Sequence, residues 1–447
     1  MGIRIRRTRM SSSTKYLSTS RLRRTLLLCL LYFCQGLPWG FATVALLAML
    51  SQAGHPKSAT AAVVAFAILP WTFKFFWAPM IDSIRMPSLG VRRPWIIIAQ
   101  ICMALTLLGA ITSGRLESSQ TVSYFAWVFF IHNCFASLQD VATDALAIDL
   151  LEDNERGRLN GMMWGSKLFG IAIGGAGMAT VTDSLGIQTA VIMQVGVLVT
   201  VLLLVIKWRE REGERLLPWT PGSSQSDINK TTTGFIVTAR ELLRALSTRT
   251  TALLVLVALS IPICEGLYDP VTTEFFVQHL GWTATQYAQT QGTIGVTAEV
   301  TGALLGGFLC DRFGQRRVAV TGILLFMSTL LVFSWTSSAW DQPWYPHVML
   351  IPLFRGFFAM TTVSMFALYM KVSWTTAAAS QFTLYMAMNN LGYFLGATLV
   401  TSLEGASFPS SLADYYFLGG LLPIISLVLL FTFSPESKQP ELQVRPA

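Results

Sequence analysis

Charged residues are scarce in this chain of 447 residues. Asp, Glu, Lys and Arg together make up 13% of it, about half of the roughly 25% that is typical of soluble domains. Hydrophobic residues make up 53%, and the mean hydropathy is +0.53. This balance excludes a string of soluble domains and indicates a polytopic membrane protein.

Several motifs of catalysis and cofactor binding are missing as well. The six cysteines lie in or beside apolar runs and show no CxxC or other metal-ligand spacing, so we expect neither disulfides nor a metal site. No GxxxxGK loop followed by Ser or Thr occurs, which argues against nucleotide-driven transport. Intramembrane aspartyl proteases also hold aspartates in the bilayer, but their GxGD motif is absent. We therefore predict no enzyme, no metal and no cofactor.

Long apolar runs recur along the chain. A run of about 20 apolar residues is long enough to cross a bilayer as a helix. The predicted fold class is thus an all-α membrane protein with twelve transmembrane helices. The twelve runs lie at about 25–50, 58–80, 94–113, 121–148, 159–181, 187–206, 251–278, 284–309, 318–336, 347–371, 378–401 and 413–433.

Lysines and arginines are distributed unevenly around these runs. Of the 32, 27 lie on the side of the membrane that holds both ends of the chain, Lys57 and Arg115 lie on the other side, and three lie inside spans. By the positive-inside rule both termini are cytoplasmic. The formal net charge of +8 then belongs to the membrane surface, and we expect no nucleic-acid partner.

The longest polar interval divides the spans into two sets of six. Two sets of six are typical of the major facilitator fold. The interval itself reads as a cytoplasmic linker that carries a basic amphipathic helix. The predicted organisation is a basic tail at 1–24, a six-helix bundle at 25–206, the linker at 207–250, a second six-helix bundle at 251–433 and a tail at 434–447.

The two halves repeat a short motif. APMIDSIRMPSLGVRRPW (78–95) follows the second span, and GGFLCDRFGQRRVAV (306–320) follows the eighth. Each contains an Asp, a Gly and paired arginines, so a carboxylate can pair with guanidinium groups and latch neighbouring helices. Ordinary anchoring by positive charge is the alternative. The predicted latch residues are Asp82, Arg92, Arg93, Asp311, Arg316 and Arg317.

Glycines recur every fourth residue in three of the spans. Small residues at this spacing let helix backbones approach each other closely. We therefore predict tight helix contacts in the fifth, eighth and eleventh spans. The glycines are Gly157, Gly161, Gly165, Gly170, Gly174, Gly302, Gly306, Gly392 and Gly396.

Ionisable residues occur inside the first six spans. Such residues are costly in a bilayer and usually face an aqueous path or a partner. Lys74, Asp140 and Lys167 lie roughly 12–14 Å from the cytoplasmic ends of their helices, at about 1.5 Å per residue. Asp144 follows Asp140 by four residues and shares its helix face. We predict a cavity cluster in which one aspartate carries a proton, and a static salt-bridge lock is the alternative.

A second group of charges lies in the last six spans. Glu265 and Asp269 are also four residues apart, and we expect Pro262 and Pro270 to interrupt their helix. Arg355 lies at a depth similar to that of Asp269, and a guanidinium suits an anionic substrate group. Pairing of Arg355 with Asp269 or Glu265 is an equally good interpretation.

Several segments resemble one group of transporters. QGLP (35–38), LPWTFKFFWAPMID (69–82), ASLQDVATDALAID (136–149), VTTEFF (271–276) and SQFTLYMAMNNLG (380–392) resemble the AmpG-type muropeptide permeases. These belong to the peptide/acetyl-coenzyme A transporter group of the major facilitator superfamily. The resemblance implies alternating access and proton-coupled import across the bacterial inner membrane. The group's recurring positions are Lys74, Asp82, Gln139, Asp140, Asp144, Glu265 and Gln381.

We therefore predict a proton-coupled symporter that imports a bulky polar solute, above all a muropeptide or anhydro-sugar peptide. It is driven by the proton motive force and needs no cofactor. Siderophore or acetyl-coenzyme A transport and a non-transporting membrane sensor are the alternatives. We expect a multi-pass monomer whose partners are lipid and a small-molecule substrate.

The candidate site residues follow from these patterns. For proton coupling they are Asp140, Asp144, Lys74, Lys167, Glu265 and Asp269, with Glu299 as a weaker candidate. For substrate binding they are Arg355, Gln139, Gln381 and Asn389.

Overall fold

The apolar runs form helices in the computed structural model, which describes residues 16–77, 80–81, 88–111, 116–221, 248–342, 344–372 and 378–432. We call α1–α6 the first half and α7–α12 the second half. Within the described residues the helices are α1 Arg21–Gln52, α2 Lys57–Thr72, α3 Arg93–Ala110, α4 Ser119–Leu150, α5 Asp153–Ala172 with its continuation to Leu185, α6 Ile187–Lys207, α7 Arg249–His279, α8 Ala284–Phe313, α9 Gln315–Trp335, α10 Trp344–Val372, α11 Ala378–Leu403 and α12 Leu412–Thr432.

Ten of these helices are long and apolar enough to cross a membrane. The other two are α2, which has 16 residues, and α11, which carries Asn389 and Asn390 near its middle. The predicted all-α polytopic fold is confirmed. The amphipathic helix predicted in the linker lies outside the described residues, and the boundaries of the two bundles remain a prediction.

Helices pack mainly within each half. In the first half α1 packs on α5, α2 on α4, and α3 on α4 and α6; in the second half α7 packs on α11, α8 on α10, and α9 on α10 and α12. The main contacts between halves join α2 to α11 and α5 to α8. Lys74 just after α2 and charged residues near the middle of α4, α5, α7, α8 and α10 are thereby brought towards the line where the halves meet.

Close packing at glycine is confirmed for three helix pairs, α1 with α5, α7 with α11 and α8 with α10. A Cβ on Gly174 of α5 would collide with the carbonyl oxygen of Leu37 in α1. A Cβ on Gly396 of α11 would collide with the carbonyl oxygen of Ile263 in α7. Only glycine lets backbones touch at these points. Other predicted glycines that contact a neighbouring backbone are Gly170, Gly302, Gly306 and Gly392.

The glycine prediction was wrong for the first part of α5. A Cβ on Gly161 or Gly165 would meet nothing within 4 Å. These two positions face open space, because α1 covers a different side of the helix. Gly157 lies outside the residues whose side-chain surroundings are described.

Two helices differ from the prediction in where they break. The second span was expected to be helical to residue 80, but α2 ends at Thr72 and a short 3-10 turn follows at Lys74–Phe76. Conversely, α7 runs through Pro262 and Pro270 without interruption. Each proline removes one backbone hydrogen bond, but α11 packs along α7 and supports the helix.

The halves close on each other at the end of the bundle opposite the chain termini. Lys57 contacts Glu274 with its backbone nitrogen at 2.7 Å and with Nζ at 3.2 Å. The Gln278 amide donates to the carbonyl oxygens of Ser51 at 2.9 Å and His55 at 2.7 Å. At the end that carries the termini, no hydrogen bond or ion pair joins the halves within the described parts of the chain. The closure is therefore one-sided.

Candidate functional site

The first half holds a cluster of two acids and two lysines near its middle. Lys74 Nζ lies 3.3 Å from Asp140 Oδ2. This pair forms because α2 ends at Thr72 and the following turn directs Lys74 to α4. Asp140 is 4% exposed, so the ion pair is largely removed from water. We call Lys74, Asp140, Asp144 and Lys167 the first-half cluster.

Asp144 has a different partner from Asp140. The Tyr32 hydroxyl on α1 donates to Asp144 Oδ1 at 2.5 Å. The two aspartates lie one turn apart, as the spacing predicted, but each meets a different neighbouring helix. The cluster thus joins α1, the turn after α2, and α4 through two separate polar contacts.

Lys167 on α5 lies among aromatic rings. Its Nζ is 4.6 Å from the ring centroid of Trp71, 5.3 Å from that of Trp164 and 6.0 Å from that of Tyr32. These distances are in the range of cation–π contacts. Among the described residues, Lys167 forms no ion pair.

The second half holds one cation surrounded by acids. Arg355 on α10 lies 2.6 Å from Asp269 Oδ1, 3.3 Å from Glu265 Oε1 and 3.4 Å from Glu299 Oε1. The Tyr393 hydroxyl on α11 donates to Asp269 Oδ2 at 2.5 Å. We call Arg355, Glu265, Asp269 and Glu299 the second-half cluster. Of the two interpretations of Arg355, the pairing with Asp269 and Glu265 is present, and Glu299 joins it.

Two of the predicted substrate-binding residues, Gln139 and Gln381, make contacts away from the charge clusters. The Gln139 amide is fully buried and donates weakly to the Leu31 carbonyl at 3.5 Å. Gln381 is also fully buried and donates to Thr251 Oγ1 at 2.8 Å, near the start of α7. Asn389 is half-buried on α11. The first two amides contact neighbouring helices, so these positions favour a role in packing, while Asn389 remains a candidate for substrate binding.

An ion pair that latches two helices occurs in the first half, but its acid is Asp149. Arg92 Nε lies 3.0 Å from Asp149 Oδ2 at the end of α4. The Arg93 side chain is 1% exposed and donates to backbone carbonyls, among them that of Val205 at 2.8 Å. Asp82 lies outside the described residues. The sequence therefore predicted the arginines of the latch but not the role of Asp149.

The second half lacks the corresponding ion pair in the part of the chain that the structure describes. Arg316 Nη2 donates to the carbonyl oxygen of Phe431 at 3.0 Å. Asp311 and Arg317 are exposed, and neither contacts a described residue of opposite charge. Water competes with such exposed charges, so the predicted pairing of Asp311 with the arginines is not formed.

A buried acidic cap closes the first half beside this latch. Glu210 accepts hydrogen bonds from the backbone nitrogens of Val91, Arg92 and Arg93 at 3.1, 2.9 and 2.5 Å. Burial raises the pKa of Glu210. Burial and the nearby charge of Glu210 raise the pKa of Glu214 to about 7. The cap therefore contains a group that titrates near neutral pH.

Aromatic partners of the charges were not found from the sequence. Tyr32 and Tyr393 each donate to an aspartate, and Trp71 and Trp164 border Lys167. Aromatic residues make up 12% of the chain, so no pattern marks these four. Their roles depend on which helices become neighbours.

Comparisons with known proteins agree with this architecture. The profile of the Major Facilitator Superfamily matches residues 28–283 and 254–447. A D-xylose-proton symporter of known structure covers 93% of this chain and 98% of its own, with a TM-score of 0.68 and 14% identity. An inward-open structure of the xylose transporter XylE from Escherichia coli has a TM-score of 0.63, 15% identity and the same coverage. At these identities the likeness concerns the fold alone.

Two curated relatives bear on the resemblance predicted above. The anhydromuropeptide permease of Escherichia coli (strain K12) is 25% identical over 383 residues, which are 85% of this chain and 74% of that protein. A putative transporter AmpG 4 of Rickettsia conorii is 25% identical over 319 residues, which are 69% of this chain and 70% of that protein. The predicted similarity to AmpG-type permeases is confirmed.

Proposed function

The chain belongs to the Major Facilitator Superfamily, and we propose that it is a proton-coupled symporter that imports a muropeptide by alternating access. The proposed location is the bacterial inner membrane, with both termini in the cytoplasm. No cofactor takes part, since the proton motive force supplies the energy. We further propose that one monomer carries the complete transport path.

The observation that carries the proton coupling is the composition of the second-half cluster. One guanidinium, that of Arg355, is shared by the carboxyl groups of Glu265, Asp269 and Glu299. With all three acids ionised, the cluster would hold two negative charges more than positive ones. An uncompensated charge is costly away from water. A proton that binds to one of these carboxyls neutralises it and removes part of that cost. The same carboxyl can then release the proton on the other side of the membrane.

The one-sided closure supports alternating access. If the termini are cytoplasmic, the closed end is the periplasmic one, and the conformation is open towards the cytoplasm. Opening to the periplasm then requires the loss of the Lys57–Glu274 ion pair and of the Gln278 hydrogen bonds. Rocking of one half against the other is the usual form of this movement.

The substrate class is inferred from relatives and from the site. A relative that is named for anhydromuropeptides aligns with 85% of this chain. The site offers cations on both halves and exposed tryptophan surface, such as Trp164, which is 46% exposed. Charged and ring-shaped groups of a sugar–peptide conjugate match those features.

Uptake into membrane vesicles tests the proposal. Right-side-out and inverted vesicles would receive labelled anhydromuropeptide with and without an imposed proton gradient. We expect gradient-dependent uptake into right-side-out vesicles and no response to the gradient in Glu265→Gln. Asp183→Asn, which removes an exposed acid of α5, is the matched control and is expected to behave as wild type.

Two results would contradict the proposal in different ways. Wild-type uptake at the same rate with and without a gradient would exclude proton coupling. No uptake by well-folded wild-type protein would exclude the muropeptide and direct the assay to siderophores and coenzyme A esters.

A further inference from the structure

We propose that Lys167, Trp71 and Trp164 form a subsite that binds a carboxylate of the substrate and the flat face next to it. The inference rests on the proposed function for the identity of the substrate. It assigns a specific chemical group of that substrate to named side chains. We call these three residues the Lys167 subsite.

The first step is the hydrogen-bonding capacity of Lys167, whose charge interacts with Asp140 and Asp144 but makes no ion-pair contact with a described residue. Three cations lie near the middle of the bundle, and two of them have acidic partners: Lys74 meets Asp140, and Arg355 meets three carboxyls. Lys167 forms no ion pair with any described residue. An ammonium group carries three donors, and a half-buried one without an acidic partner is suited to an anionic ligand.

The second step is the ordered aromatic wall beside this ammonium. Trp71 Nε1 donates to Asn133 Oδ1 at 3.1 Å, which holds the orientation of its ring. Nζ of Lys167 lies 4.6 Å from the centroid of this ring and 5.3 Å from that of Trp164. The rings thus hold the ammonium in place by cation–π attraction and leave its donors for a ligand.

The third step is the direction in which the subsite faces. Trp71 lies on α2. Its backbone carbonyl accepts a hydrogen bond from the side-chain amide of Asn390, in the second half, at 3.1 Å. Lys167 therefore points from α5 towards the line between the halves. Gly165 next to Trp164 has open space around it. Trp164 itself is 46% exposed, so its ring is accessible to a ligand.

The fourth step is the chemistry of the ligand. A carboxylate accepts charge-assisted hydrogen bonds from an ammonium, and a tryptophan face covers the apolar side of a sugar ring or a peptide plane. A peptide that is linked to a sugar carries both groups close together. The subsite therefore selects for a free carboxyl next to a flat group.

Equilibrium binding to the purified full-length protein tests the subsite. The probes are labelled anhydromuropeptide with free carboxyls and the same compound with its carboxyls converted to methyl amides. For wild type we expect the amide probe to bind about 10-fold or more weakly, the size of one hydrogen bond to a charged group. In Lys167→Gln we expect the free-acid probe to weaken by the same factor and the amide probe to be unaffected.

Controls separate this effect from a general loss of structure. Lys207→Gln removes an exposed lysine of α6 and is expected to bind both probes as wild type does. Lys167→Arg is expected to restore part of the preference for the free acid. If Lys167→Gln does not give well-folded protein, Lys167→Met takes its place, because it keeps an unbranched, apolar stem without the charge.

The outcomes distinguish the subsite from the proposed function. Equal preference for the free acid in wild type and Lys167→Gln would overturn the subsite alone. Equal weakening of both probes would also overturn it, because the lysine would then act through structure. If wild type binds neither probe, the muropeptide is not the substrate, and the proposal for the subsite is overturned as well.

Discussion

In the first half Lys74 meets one carboxyl group, that of Asp140, whereas in the second half Arg355 meets three. The first-half cluster has equal numbers of acids and bases, and its second lysine lacks an acidic partner among the described residues. The second-half cluster has two acids in excess. Under the proposed function, this difference assigns separate roles to the halves. The first half, where Lys167 forms no ion pair with a described residue, binds the anionic ligand. The second half, with its excess of acids, binds the proton.

Removal of the shared arginine is expected to have the largest effect. Arg355→Gln leaves Glu265, Asp269 and Glu299 without their cation, and loss of one partner from a buried ion pair costs about 3–5 kcal/mol. We expect a decrease of that size in the free energy of unfolding and no transport. Thermal denaturation in detergent and vesicle uptake measure the two quantities.

The first half provides the comparison for that variant. Lys74→Gln combined with Asp140→Asn removes one base and one acid together and leaves the charge of the first-half cluster balanced, so a smaller loss of stability is expected. Arg312→Gln, at an exposed position of α8, controls for the loss of an arginine. An Arg355→Gln protein as stable as the double variant would contradict the contrast between the clusters.

The acidic cap of the first half is expected to produce a pH dependence of intermediate size. Burial and the charge of Glu210 raise the pKa of Glu214 from 4.5 to about 7. The folded protein holds this proton up to a higher pH than the unfolded chain does. The contribution of Glu214 to stability therefore falls as the pH rises from about 4.5 to about 7, and it changes no further above that range.

We expect this decrease to be about 3 kcal/mol, at about 1.4 kcal/mol per pKa unit, and to vanish in Glu214→Gln. The charged groups that face Glu214 are Glu210, Arg93 and Arg209, whose Nη1 donates to the Glu214 carbonyl at 3.0 Å. Thermal denaturation between pH 4.5 and pH 8 measures the effect. Glu212→Gln, at an exposed position of the same segment, should keep the wild-type profile, and an unchanged profile in Glu214→Gln would contradict the prediction.

The smallest expected effects come from the two tyrosines that hold the aspartates. Tyr32→Phe removes the hydrogen bond to Asp144, and Tyr393→Phe removes the one to Asp269. Each substitution is expected to lower the free energy of unfolding by about 1.5 kcal/mol. Under the proposed division of work, only Tyr393→Phe is expected to shift the pH dependence of uptake, and a larger shift with Tyr32→Phe would reverse the assignment.

The two clusters were predictable to different degrees. The depth of Lys74 and Asp140 could be estimated from helix rise alone, and they do pair. The spacing of Glu265 and Asp269 placed them on one face of α7, close to Arg355 as expected. That Lys167 forms no ion pair with a described residue, and that Gln381 lies near the start of α7, could not be predicted. Both depend on how the helices rotate against their neighbours.

Backbone irregularities were harder to predict than the helices. Prolines inside the seventh span were expected to break it, but α7 continues through both. The actual break lies after Thr72, inside a span that was predicted to be helical to residue 80. Support from neighbouring helices decides whether a proline breaks a helix, and that support is not encoded in the local sequence.

The sequence by itself determined the number of helices, most of their approximate ends and the membrane environment. Each apolar run must satisfy its own backbone hydrogen bonds in lipid, and it does so by forming a helix whatever its neighbours are. The tertiary structure alone decided the partners. Tyr32 and Asp144 are 112 residues apart, and Lys57 and Glu274 are 217 apart. Such pairs form only after the helices have packed, since a hydrogen bond or an ion pair requires contact at about 3 Å.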